Sequence, residues 1–137
     1  MSTRAYQELE HTADLRLRVT GADLPALFTH AGQGLHALLR CRSGEGAQPA
    51  NRLIALEAPD LVTLLVDWLN ELLYLAERHH EAYAGFCLTL CDEQRLEATA
   101  LGWSDQHVGR PIKAATYHGL QVERTATGYE ATITLDV

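Results

Sequence analysis

Hydrophobic and polar positions along this chain follow two different periods, and each change of period marks an element. Leu15, Leu17 and Val19 alternate with Asp14, Arg16 and Arg18, the period of two that a half-buried strand requires. Thr20-Gly21-Ala22 then reads as a turn, Asp23 as a helix N-cap, and Pro25 as a first-turn proline whose missing N–H costs nothing. The helix that follows carries Leu24, Leu27, Phe28, Ala31, Leu35, Leu38 and Leu39 at the three-four spacing of one buried stripe. Gly32 and Gly34 oppose it by about 1 kcal/mol each relative to alanine, which implies close approach of this helix to a neighbouring element.

Residues 40–51 have no period and many turn formers, so they are predicted as a surface loop. A strand over Leu53 to Glu57 leads to Pro59-Asp60, a stop followed by an N-cap. Leu61, Leu64, Leu65, Trp68, Leu69, Leu72 and Leu75 then form the strongest helical stripe of the chain, ending near His79-His80-Glu81. Phe86 to Cys91 and Arg95 to Leu101 read as a hairpin across Asp92-Glu93-Gln94. Residues 102–111 read as a loop, and Lys113 to Thr125 with Tyr129 to Val137 as a second hairpin turning at Thr127-Gly128. Strands around two helices, followed by hairpins, predict an α+β fold: a single domain over 1–137, with a largely antiparallel β-sheet and two α-helices packed on one face.

Composition narrows the choice of function. A chain of 137 residues, 47% hydrophobic and 21% charged, suits one globular domain. Eighteen acidic against eleven basic residues give a net charge of -7, which disfavours direct binding of nucleic acid or anionic membrane. No stretch approaches the roughly 20 apolar residues of a spanning helix, and the first residues lack a signal-peptide apolar core, so a cytoplasmic location is expected. Cys41, Cys87 and Cys91 are predicted to be reduced; the even spacing of the last two would place both on one face of a strand, as core packing.

Polar residues that structure alone does not demand fall in three places. His11-Thr12-Ala13-Asp14 opens the first clear strand, and its plainest reading is a turn closed by Thr12 or Asp14. At the other end, Asp136 shares the polar side of its strand with Thr132 and Thr134, which alone would be a solvated edge. A main-chain carboxylate at Val137 would add a second hard oxygen group to Asp136, a pairing suited to a divalent cation. Should the first strand lie beside the last, Asp14 would join them, and the carboxylates would repel unless a cation or basic side chain intervened. The third place is Ile112-Lys113-Ala114-Ala115-Thr116-Tyr117-His118, with Lys113 and Tyr117 on one strand face and His118 on the other. Beside carboxylates, Lys113 would be a salt bridge; beside a metal-bound phosphate, a charge clamp. On the second helix, Asp67, Asn70, Glu71 and Tyr74 lie off the leucine stripe, as a solvated face or a contact surface.

Four ordered motifs resemble the archease family: His11-Thr12-Ala13-Asp14, the helical Leu64 to Tyr74 run, Ile112 to His118, and Leu135-Asp136-Val137. The loop Gly102-Trp103-Ser104-Asp105-Gln106-His107 and the glycine of Thr29-His30-Ala31-Gly32 depart from the family's pattern. The resemblance implies a non-enzymatic cofactor protein that activates an RtcB-type RNA ligase in tRNA splicing or RNA repair. It would promote the GTP- and metal-dependent guanylylation of that ligase on a histidine and so allow multiple turnover. It further implies a divalent metal ion (calcium, magnesium or manganese) at Asp14, Asp136 and Val137, functional roles in partner activation for Lys113 and His11, and a partner surface at Asp67, Glu71 and Tyr74. Two other classes would use the same residues differently. A stand-alone metal-dependent phosphohydrolase would turn over without a partner, with His11 as acid or base. A chaperone-like binding module would use the helix surfaces and need no metal.

Overall fold

A computed structural model describes residues 5–9 and 14–137, so His11, Thr12 and Ala13 of the first motif lie outside the described residues. The elements run β1 (Tyr6–Leu9), β2 (Leu15–Gly21), α1 (Leu24–Leu39), β3 (Arg42–Ser43), β4 (Pro49–Glu57), α2 (Leu61–His79), β5 (Ala82–Cys91), β6 (Arg95–Trp103), β7 (Gln106–His107), β8 (Ala114–Thr125) and β9 (Gly128–Asp136). The α+β expectation holds, with two helices and antiparallel pairing throughout. The strands divide into a four-stranded sheet of order β1-β2-β9-β8, a three-stranded sheet of order β4-β6-β5, and the short pair β3-β7.

Both helices begin as the sequence dictates. Asp23 Oδ1 accepts from the Ala26 amide and Asp60 Oδ1 from the Thr63 amide, each at 2.8 Å, so two amides that a helix start leaves open are satisfied. The helices pack against the four-stranded sheet, α1 along β2 and α2 along β8, and both also touch β5 of the smaller sheet. Burial on more than one side explains why Val66, Leu73 and Ala76 are buried in α2 although they lie off its predicted stripe. At the centre Trp68 is fully buried, its ring edge-on to Phe28 and Phe86, with its indole N–H donating to the Phe28 carbonyl at 2.9 Å.

The two helical glycines are the close approaches the sequence implied. A Cβ at Gly32 would lie 2.7 Å from the Phe86 ring, and one at Gly34 would lie 3.0 Å from Tyr6. Several boundaries differ from expectation. The segment 40–51 contains β3 and the start of β4, and the segment 102–111 contains β7. Two-residue strands have no period of their own; Arg42–Ser43 and Gln106–His107 exist as strands because they pair with each other. Cys87 and Cys91 do not share a face. A bulge between Leu88 and Leu90 inserts one residue, so Cys87 pairs with Thr99 and is exposed, whereas Cys91 pairs with buried Leu96 and packs on the core.

Candidate functional site

The candidate site is built where three strands of the larger sheet end together. β9 lies between β2 and β8, so the start of β2, the end of β9 and the start of β8 meet at one end of the sheet. The β2–β9 ladder closes on Leu15 opposite Leu135, and the next residues in that register are Asp14 and Asp136. Across the other seam Ala114 stands opposite Asp136, and the Lys113 amide donates to the Asp136 carbonyl at 2.7 Å. The condition under which Asp14 would join the C-terminal carboxylates is therefore met by the topology. Asp136 and Val137 are exposed and Asp14 is half-buried. Thr134, in contrast, is buried, because β9 is an interior strand flanked on both sides rather than a solvated edge.

Aspartate oxygens and a main-chain oxygen of Val137 are hard donors, the type that calcium, magnesium or manganese selects. Among the described residues no group of three or more His, Cys, Asp or Glu is placed to hold a metal ion, so the two aspartates alone would be an incomplete shell. The third protein oxygen would be main-chain, and water would fill the remaining positions.

Lys113 is tied to the site through its backbone. Among the described residues its ammonium forms no ion pair with Asp136. Its side chain lines a groove of about 230 Å³ with Leu73, Ala76 and Glu77 of α2. The alternation expected for Tyr117 and His118 is broken. Thr116 pairs with Thr134 and Gln121 with Thr132, so residues 117–120 face a single residue of β9 and bulge outward, with Gly119 at φ 66. Tyr117 and His118 are both exposed.

What holds the start of β8 in place is Asn70. Its Oδ1 accepts from the Ala115 amide at 2.8 Å and its Nδ2 donates to the Ala115 carbonyl at 3.2 Å. β8 is an edge strand, and Asn70 serves it as one residue of a missing neighbour would. Ala115 is opposite Leu135, one residue from Asp136, so α2 positions the site through this amide. Asn70 is therefore not on a solvated face. Asp67 and Glu71 flank it, both half-buried, and Tyr74 is 50% exposed on the same stripe.

A second polar cluster had no sequence signal. Arg52 of β4 gives two hydrogen bonds to Glu81, at 2.7 and 3.1 Å, and the buried Tyr83 hydroxyl donates to the same carboxylate. The Arg52 bond, reinforced by Tyr83 and opposed by burial, holds the Glu81 carboxyl below its usual range. Burial, then the Glu81 bond, pushes the Tyr83 phenol up. Arg52 lies in β4 and Glu81 in the short link between α2 and β5, with the whole of α2 between them in sequence, so only the fold brings them together.

Two helices packed against largely antiparallel sheets define the class as a small α+β domain. Residues 6–137 match the sequence model of the Archease protein family (MTH1598/TM1083). The protein archease of Methanosarcina acetivorans is 33% identical, over 98% of this chain and 97% of that one. The protein archease of Saccharolobus islandicus is 30% identical, over 98% and 99%. Two solved structures share the fold. Protein 1598 of Methanobacterium thermoautotrophicum has a TM-score of 0.68 at 22% identity, over 97% of this chain and 99% of that one. The Thermotoga maritima archease TM1083, described as a possible chaperone, has a TM-score of 0.67 at 20% identity, over 100% and 99%. The chain belongs to the archease family.

Proposed function

We propose that this protein is a non-enzymatic activator of an RtcB-type RNA ligase, acting in tRNA splicing or RNA repair from the carboxylate end of the larger sheet. The observation that carries the reading is the register that brings Asp14 beside Asp136 and ties Lys113 to the same residue. All three lie in motifs on which the family resemblance rests, and the chain's family membership supports it. The description of the T. maritima relative as a possible chaperone accords with a protein whose object is another protein.

In this reading Asp14, Asp136 and a main-chain oxygen of Val137 hold a calcium, magnesium or manganese ion. Such an ion supplies charge neutralisation for phosphate oxygens. Asn70 fixes β8, and with it the spacing of Lys113 from Asp136. Lys113 presents a cation to phosphate or to a partner carboxylate. His11 belongs to the same functional set. Asp67, Glu71 and Tyr74, on the α2 stripe beside β8, form the docking face. The net charge of -7 suits docking to the basic cleft of an RNA-joining enzyme and opposes contact with RNA itself.

The test is a ligation assay with GTP and a divalent metal, with and without substoichiometric amounts of this protein. Multiple turnover is expected only with it. Unchanged ligase turnover contradicts the proposal, and phosphate release by the isolated protein would assign it to the metal-dependent phosphohydrolases instead.

A further inference from the structure

The end of α2 and the segment around β7 bring together three side chains that the carboxylate site does not use. His80 caps α2 at φ 53, and Asp105 turns the chain into β7 at φ 52. The Gln106 amide donates to the His80 carbonyl at 2.8 Å, which fixes the two segments to each other. On that frame the His80 and His107 rings lie with centroids 5.4 Å apart, inclined by 35°. His107 Nε2 is 2.7 Å from Asp105 Oδ1. Asp105 is itself held: its Oδ2 accepts from the Gly46 amide at 3.1 Å and its carbonyl from the Gly44 amide at 2.8 Å.

The geometry points to a transition-metal site in which His80 and His107 bind an ion of the zinc, nickel or copper class and Asp105 orients His107 from behind. Imidazole nitrogen is the ligand these ions take readily, whereas calcium and magnesium prefer oxygen. A zinc–nitrogen bond of about 2.0–2.1 Å puts the ion about 3.2 Å from a ring centre, so two imidazoles at a tetrahedral angle have centroids about 5.2 Å apart. The observed separation of 5.4 Å is close to that spacing. A histidine ligand usually gives its second ring N–H to a carboxylate, which fixes its tautomer. The Asp105–His107 bond is that arrangement, and it leaves Nδ1 of His107 for the ion. Both histidines are exposed, and no third His, Cys, Asp or Glu among the described residues completes the set. Water fills the remaining positions, and the affinity is lower than that of a closed four-ligand site.

The test uses untagged protein carrying Asp14→Asn and Asp136→Asn, so that the oxygen site does not contribute, titrated with zinc chloride by calorimetry in a non-coordinating buffer. One equivalent of zinc is expected to bind and magnesium is not. Either His80→Ala or His107→Ala is expected to weaken zinc binding at least tenfold, and Asp105→Asn, which keeps an oxygen acceptor for the Gly46 amide, by roughly tenfold. Circular dichroism confirms that each variant is folded. In the NMR spectrum, zinc is expected to shift the ring resonances of His80 and His107. No zinc binding at millimolar concentration, or unchanged binding in the histidine variants, overturns the inference. Because the ligase plays no part in the measurement, its failure leaves the proposed activation untouched, and failure of activation leaves it untouched.

Discussion

A single methyl group at Gly32 would sit 2.7 Å from the Phe86 ring and 3.3 Å from Leu72, so helix propensity and packing oppose each other at this residue. Alanine would gain about 1 kcal/mol in the helix, while displacing a ring from its edge-on contact with Trp68 costs about 1–3 kcal/mol. Gly32→Ala is therefore expected to destabilise the wild type by about 1 kcal/mol and to stabilise a Phe86→Leu background; urea melts of the four proteins check the change of sign. Glu81 sets a pH dependence at the same scale. Its folded-state pKa is depressed, chiefly by the Arg52 bond. The stability it adds is complete above the unfolded glutamate value of about 4.3 and is lost as pH falls through the lower folded value. Urea stability measured from pH 7 to pH 3 is expected to fall less steeply on the acid side in Glu81→Gln than in the wild type. Equal slopes would remove Glu81 from the account.

At the scale of elements the decisive contact is Asn70 with Ala115. Asn70→Ala leaves the amide and carbonyl of an edge strand without their partner, a loss of about 1–3 kcal/mol. Hydrogen exchange at the Ala115 amide is expected to accelerate in this variant more than exchange in β5 and β6. α1 and α2 were readable in the sequence because each combines a cap with a stripe several turns long. β2 was readable from strict alternation. The bulges at Thr89 and at residues 117–120 were not, because an inserted residue keeps the same composition and changes only the partner strand's register. Nor did anything in the polar stripe of α2 distinguish Asn70, which anchors β8, from Asp67 and Glu71; that difference depends on which strand edge lies opposite. The nearness of Asp14 to Asp136 was readable only as a condition on strand order, since the two lie at opposite ends of the chain.

For the whole molecule, the proposed function rests on charge placed at one end of the larger sheet. The core beneath, Leu15, Leu17, Ile133 and Leu135 against α1 and α2, is buried and apolar, and neither Asp14 nor Asp136 belongs to it. The most direct measurement is the guanylylation rate of an RtcB-type ligase with GTP and a divalent metal, with wild-type protein, Asp14→Asn, Asp136→Asn, the double variant and Lys113→Ala. Each aspartate variant is expected to remain folded and to lose activation, the double variant to lose little more than either single one, and Lys113→Ala to be impaired, because residues that act as a unit fail together. Full activation by all four variants would contradict the assignment of the sheet end as the functional site.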